Sequence, residues 1–312
     1  MYRIGFDIGG TKCAVSLAKK ENGKIFIMER VETPTLDSPQ ETLYNLETHV
    51  RSWKEKMGVK TAGISCGGPL NSTLGVIVCP PNLAKRWHGF QIVEYLKEHF
   101  GLSAKLQNDA NACAVAEWRY GAGKGTKNMI FLTFGTGLGA GLILNGKLYA
   151  GANDNAGELG HIRLADKGPT GYGKAGSFEG FCSGGGIARL AVEMAKRCKK
   201  MPLCIEKMGG MSAITTKKLS EEAKAGDGFA KRVFAKSGEM LGKGLAIAID
   251  ILNPERIVLG GVFMRSSELL IPSMKKVLER EALSESLSVC EIVPAKLGEN
   301  IGDVAAVAVS ES

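Results

Sequence analysis

Residues 5–18 read GFDIGGTKCAVSLA. An apolar strand interrupted by Asp7 runs into Gly9-Gly10-Thr11-Lys12 and out again into a second apolar run. The least demanding reading is a β-hairpin whose glycines serve turn geometry alone. The sharper one is a turn that holds phosphate. Glycine lets main-chain amides approach an oxygen with no Cβ in the way, and successive amides in a turn make an anion-binding concavity. Thr11 adds a hydroxyl donor, Lys12 a positive charge and Asp7 a carboxylate at the strand end.

The same plan recurs at residues 130–144, IFLTFGTGLGAGLIL. Thr133 stands where Asp7 stood, and Gly135-Thr136-Gly137 forms the turn. The two copies lie about 126 residues apart, which implies two related halves. The boundary is expected near residue 115, giving an N-terminal α/β domain over 1–115 and a larger α/β domain over 116–299. The short segment 300–312 is expected to pack back on the first. A third glycine site, Gly260-Gly261 after RIVL, closes a strand and is expected to abut the adenine or ribose of a nucleotide. GxxxxGK[ST] is absent, and GTGLGAG sits between strands rather than before a helix, so neither a Walker loop nor a dinucleotide fold is indicated.

Bulk properties narrow the class. Of 312 residues, 44% are apolar and 23% charged, as in an ordinary globular protein. No apolar run approaches the ~20 residues of a membrane span, and MYRIGFDIGG lacks the layout of a signal peptide. A cytoplasmic protein without a membrane partner is expected. Eight cysteines with no CxxC pair are too few for a disulfide scaffold, and several of them, Cys13, Cys66, Cys79 and Cys113, read as small buried hydrophobes of a reducing compartment. The net charge of +8 raises the question of nucleic acid. Its clusters, AKRCKK and MKKVLER, read as solvated helix faces, so no nucleic-acid partner is expected.

Strands and helices alternate along the chain, the pattern of an α/β protein. Strands are expected over 60–68, 103–107, 128–149, 256–262 and 288–295. Helices are expected over 89–101, from 108 to about 121, and over 183–199, 220–225, 228–252, 267–280 and 301–309. On this frame Asn108 and Asp109 fall at a strand-to-helix junction. Both favour helix N-caps, and Asn111 would then be a surface residue. Asp109 can also accept a proton from a substrate hydroxyl, as phosphoryl transfer requires. Glu158 and His161, three apart, share one side of a helical turn or tight loop, and Glu179 follows a glycine-rich stretch. Carboxylates and an imidazole suit neighbouring sugar hydroxyls. Asn82, in a loop stiffened by two prolines, is a further candidate sugar contact.

The set DIGGTK, GISCGGPLN, PPNL…W, QNDANACAVAEW, FGTGLGAGLILNGKLYAG, GELGH and NPERIVLGG resembles the ROK family of sugar kinases and related repressors, in order and through nearly the whole chain. The resemblance implies an α/β, two-domain actin-like ATPase (ribonuclease H-like) fold with ATP and sugar in the interdomain cleft. It implies transfer of the γ-phosphate of Mg-ATP to a hydroxyl, usually the 6-hydroxyl, of a hexose or N-acyl hexosamine, and a homodimer. By the resemblance Asp109 is the catalytic base. Asn82, Asn108, Glu158, His161 and Glu179 contact sugar. Asp7, Gly9, Gly10, Thr11, Lys12, Gly135, Thr136, Gly137, Gly260 and Gly261 form the ATP and Mg2+ side. A non-catalytic sugar-binding regulator of the same fold is the alternative. DIGGTK begins at residue 7, so the DNA-binding segment that precedes it in the repressors is not expected. Many relatives hold zinc with the GH histidine and three cysteines in a CxCGxxGCxE run. Here Thr170, Tyr172 and Ser177 stand in those places, with only Cys182 near His161, so no structural zinc is expected and the loop itself must orient the histidine.

Overall fold

The computed structural model describes residues 1–298 and 301–311, so the expected boundary at 299/300 lies outside the described residues. The chain begins β1 (Tyr2–Ile8), β2 (Lys12–Glu21), β3 (Lys24–Pro34), α1 (Pro39–Met57), β4 (Thr61–Cys66), β5 (Leu70–Asn71), β6 (Val76–Ile77), α2 (Ile92–Phe100), β7 (Ser103–Asn108) and α3 (Asp109–Tyr120). It continues through β8 (Met129–Phe134), β9 (Leu138–Leu144), β10 (Lys147–Tyr149), β11 (Thr170–Gly171), β12 (Lys174–Ala175), α4 (Phe178–Cys182), α5 (Gly184–Lys196), α6 (Leu203–Met208), α7 (Thr216–Lys224) and α8 (Gly228–Leu252). It ends with β13 (Arg256–Leu259), α9 (Val262–Glu281), α10 (Ser284–Ser288), β14 (Glu291–Pro294) and α11 (Ile301–Val309).

Two five-stranded sheets share one plan. Their orders are β3-β2-β1-β4-β7 and β10-β9-β8-β13-β14. In the first, β1–β2 and β2–β3 are antiparallel, while β1–β4 and β4–β7 are parallel. In the second, β9–β10 is antiparallel and β13–β14 parallel. The repeat seen between the two glycine stretches is therefore a repeat of whole sheets. Packing groups the chain into two compact units, one of Met1–Phe131, Gly141–Ala156 and Ala295–Ser312, the other of Leu132–Ala140 and Gly157–Pro294. Residue 115 lies within α3, inside the first unit.

Strand alternation assigns the opening stretch to two faces. Ile4, Phe6 and Ile8 join a buried core with Leu43, Leu46 and Trp53 of α1 and with Ile92 and Leu96 of α2. Gly5 and Asp7 face the other way. Gly5 pairs with Gly63 of β4, and this flat pair receives α11. A Cβ on Gly5 would lie 2.7 Å from the Val307 nitrogen, and one on Gly63 would overlap the Ala306 carbonyl. The alanine- and valine-rich α11 is buried from Val304 to Val309. Its end is tied down where Glu311 accepts from Tyr120 Oη at 2.5 Å, Lys20 Nζ at 2.8 Å and Arg119 at 3.2 Å.

Several expectations shift in detail. The strand expected over 256–262 stops at Leu259, and α9 starts at Val262 rather than 267. Gly261 makes the change of direction: its φ is +62° and any Cβ there would strike the Phe134 carbonyl. The non-helical Ser266 splits off the first turn of α9. The strand expected over 288–295 shortens to Glu291–Pro294, because α10 occupies Ser284–Ser288.

Candidate functional site

In the first unit the Gly9–Lys12 turn joins β1 to β2. Gly9 N–H donates to the Lys12 carbonyl at 3.1 Å, closing the turn on itself. Gly10 needs its missing side chain because the Asn82 carbonyl fills that space. The structure thus brings Asn82 against the turn. The Lys12 ammonium is held 2.6 Å from Glu32, on the adjoining strand β3. The turn also rests on a residue that carries no motif: Thr35 donates its hydroxyl to the Gly9 carbonyl at 2.6 Å and its N–H to the Thr11 carbonyl at 3.0 Å.

Asp7 ends β1 on the α11 face. A Cβ on Gly302 would sit 3.1 Å from its Oδ2, in the first turn of α11. Burial, then the charges of Asp303 and Asp109, push the Asp7 carboxyl up to about 6, although Arg30 pulls it down. Asp303 is held by the Ser16 hydroxyl at 2.8 Å and Arg30 Nε at 3.1 Å. No local signal marks Asp303 in the sequence, since only the fold brings the chain's end to its first strand.

Asn108 and Asp109 sit at the β7–α3 junction as expected. The Asn108 side chain caps α3, accepting from Ala110 N–H at 2.9 Å. Asp109 accepts from the same N–H at 2.8 Å. Its side chain reaches solvent, yet the surrounding protein strips enough water to raise its carboxyl above the ordinary value, against the pull of backbone hydrogen bonds from Ala110 and its own amide. Asn111 is not at the surface: it is 1% exposed and donates to Gln107 Oε1 at 3.2 Å. Its position on the inner side of the first turn of α3 turns it to the core.

In the second unit the turn Gly135–Gly137 joins β8 to β9. Gly184 N–H donates to the Gly135 carbonyl at 2.8 Å, and Ser183 caps α5 through Gly186 N–H at 2.9 Å. The run SGGGIA, three glycines after a capping serine, was the available signal for this support. Glu179, on α4, accepts from Leu138 N–H at 3.0 Å, so its carboxylate braces the turn. Glu158 leads into a single 3₁₀ turn, Leu159–His161, which leaves Glu158 and His161 exposed. Gly160, between them, packs on the Leu138 carbonyl. Gly260 N–H donates to Leu132 at 2.8 Å, and Gly261 caps α9.

Thr170 and Tyr172 lie on the β11–β12 hairpin. Its loop residues Tyr172 and Gly173 have φ of +45° and +75°, the two positive values that a tight hairpin turn demands. Ser177 caps α4. His161 meets the Tyr172 ring edge-on at 6.1 Å, and its carbonyl accepts from Lys174 Nζ at 2.8 Å. The loop thus meets the histidine by a ring contact to its imidazole and a lysine hydrogen bond to its main chain. Among the described residues no group of three or more His, Cys, Asp or Glu is placed to hold a metal ion. Mg2+ does not need such a cage, because it takes one or two carboxylates plus substrate phosphates and keeps waters. The surplus negative charge around Asp7 fits a site of that kind.

Two five-stranded sheets of one strand order, each with a glycine turn between its first two strands, define an actin-like ATPase fold. The solved ROK hexokinase from Thermus thermophilus superposes with a TM-score of 0.80 at 28% identity, over 100% of this chain and 98% of that one. A ROK family glucokinase from Streptomyces griseus, solved with glucose and AMPPNP, gives 0.78 at 29% identity, over 100% and 99%. The chain belongs to the ROK family, whose profile matches residues 3–311. It is 32% identical to a glucokinase of Halalkalibacterium halodurans, over 96% of this chain and 92% of that protein.

Proposed function

We propose that this protein is an ATP-dependent sugar kinase that transfers the γ-phosphate of ATP to a hydroxyl, the 6-hydroxyl in this reading, of a hexose or N-acyl hexosamine. The observation that carries the proposal is the placement of Asp109. It stands at the first position of α3, open to solvent, held by the Ala110 N–H that it shares with the Asn108 cap, with a carboxyl biased toward holding a proton. A base for a sugar hydroxyl needs that combination of reach, orientation and raised proton affinity.

In this reading Asp109 takes or orients the hydroxyl proton as the sugar oxygen attacks phosphorus. Asn82, Asn108, Glu158 and His161 bind sugar hydroxyls. Glu179 contacts sugar with the oxygen it does not spend on Leu138. The amides and hydroxyls of Gly9–Lys12 and Gly135–Gly137 hold phosphates, and Gly260–Gly261 abuts the nucleoside. Asp7 holds Mg2+, which neutralises phosphate charge when bound. The protein is read as a cytoplasmic homodimer, which light scattering on the purified chain tests.

A coupled assay of ATP consumption over about a dozen hexoses and amino sugars tests the reading. Turnover is expected with at least one of them. Asp109→Asn should lower kcat by about a thousandfold or more, within the range general-base catalysis and hydroxyl positioning together supply. Calorimetry should show sugar binding little changed in this variant. Full turnover by Asp109→Asn sinks the base assignment. Sugar binding by the wild type without turnover would instead make the protein a sugar-binding regulator.

A further inference from the structure

An anion-binding turn has two requirements. Its N–H groups must face the ligand, and its carbonyl oxygens must be held away from it, because a carbonyl turned toward phosphate repels it. In the Gly9–Lys12 turn all the carbonyls that could swing are spoken for except that of Gly10. The Lys12 carbonyl takes Gly9 N–H at 3.1 Å, and those of Gly9 and Thr11 both go to Thr35. Among the described residues, the Gly10 and Thr11 N–H groups donate to no protein acceptor. They are amides of the turn left to a ligand.

We propose that Thr35 is a positioning residue of the phosphate turn: its hydroxyl and its amide fix two turn carbonyls from behind and so aim the amides of Gly10 and Thr11 outward. A third member supports the arrangement. Cys13 Sγ lies 3.2 Å from Thr35 Oγ1. The Thr35 proton is given to Gly9, so the thiol is the donor in that pair. Burial raises the Cys13 thiol to about 11, so it keeps its proton at neutral pH. The thiol has one proton and two acceptors in reach, Thr35 Oγ1 at 3.2 Å and the Gly9 carbonyl at 3.9 Å; given to the nearer, it makes a relay from Cys13 S–H to Thr35 O–H to the Gly9 carbonyl. The second unit anchors the matching position with a different donor: Gly135, which aligns with Gly9 in the internal repeat, gives its carbonyl to Gly184 N–H at 2.8 Å.

The inference rests on reading this turn as a phosphate site, and the experiment separates the two. AMPPNP binding by calorimetry and steady-state kinetics with ATP and with sugar varied in turn are measured on full-length wild type, Thr35→Val, Thr35→Ser and Cys13→Ala. In Thr35→Val the KM for ATP and the Kd for AMPPNP should rise about tenfold, the scale of one lost hydrogen bond. The KM for sugar should stay within twofold. Thr35→Ser should restore wild-type values, and Cys13→Ala should shift ATP in the same direction by about twofold to threefold. If Thr35→Val does not fold, Thr35→Ala carries the same expectation. An AMPPNP affinity within twofold of wild type in the hydroxyl-less variant overturns the proposal. So does an equal loss on the sugar and ATP sides, or a fall in melting temperature with ATP binding untouched, since a merely structural role would give those results. Failure of the wild type to bind AMPPNP at all would overturn the phosphate reading, and this inference with it.

Discussion

Asp7 shows how much a single residue of the opening stretch is asked to do. Strand alternation puts it on the α11 face, near Asp303 and Asp109, and the folded chain holds its carboxyl at about 6 against 3.8 in the unfolded chain. Between those values the folded protein keeps a proton that the unfolded chain has lost. The protonated form is the one the fold favours, so Asp7 costs stability progressively as pH rises from about 4 to about 6. Asp7→Asn removes that cost. The variant should be more stable than wild type at pH 8 by about 1–3 kcal/mol, from roughly two units at about 1.4 kcal/mol each discounted for partial solvent screening. At pH 3.5 the advantage should vanish. Urea midpoints at the two pH values check this, and an equal difference at both would exclude the titration. The sequence made the carboxylate legible but not its proton affinity, which depends first on burial and then on Asp303 arriving from the far end of the chain. Gly10 teaches a similar lesson: its glycine was readable, while its reason, the Asn82 carbonyl, was not.

At the scale of elements, α11 and the strand pair beneath it depend on Gly5 and Gly63 standing side by side. Gly63→Ala would place a methyl on the Ala306 carbonyl and 2.7 Å from Ser310 N. Main-chain atoms cannot step aside as a side-chain tip can. The helix must lift, and about 1–3 kcal/mol of stability should be lost, as in other overpacked cores. Denaturant unfolding measures it, and a loss below about 0.5 kcal/mol would show that α11 adapts. The elements bearing the strongest periodic signals were legible from sequence. The long α8 runs from Gly228 to Leu252 and α11 from Ile301 to Val309, as their patterns indicate. On α9 the lysines of MKKVLER face solvent while Met274, Val277 and Leu278 are buried. The sequence reading assigns nothing to 24–57, where β3 and α1 lie. β3 is an edge strand with Phe26 and Met28 half exposed, so its apolar residues mark no core. For α1 the signal was present: Ser38 caps it, Pro39 opens it, and Leu43, Leu46, Val50 and Trp53 form its buried stripe. The shift at Gly260–Gly261 was not legible, because a helix starting directly at a strand's end looks like more strand until the +62° turn at Gly261 is known.

For the molecule as a whole, the charge of +8 has to be reconciled with a ligand. A nucleic-acid footprint is a stripe of cations that neutralises successive phosphates and releases counterions, so its affinity collapses with salt. Here many cations stand beside carboxylates: Lys97 with Glu94, Lys236 with Glu239, Arg256 with Glu291 and Arg280 with Glu281. Such interleaving cancels the local field while leaving the net charge positive. A single nucleotide asks for something different, a few amides and hydroxyls at fixed positions, the role proposed above for each glycine turn. The two possibilities separate by linkage, since whatever binds the folded state alone stabilises it by RT ln(1 + [L]/Kd). AMPPNP at about one hundred times its Kd should raise the unfolding free energy by about 2.7 kcal/mol. A short DNA duplex at about 0.15 M salt should leave the melting curve where it was. Stabilisation by DNA that fades as salt rises, with none from AMPPNP, would assign the positive charge to nucleic acid and take the kinase reading with it.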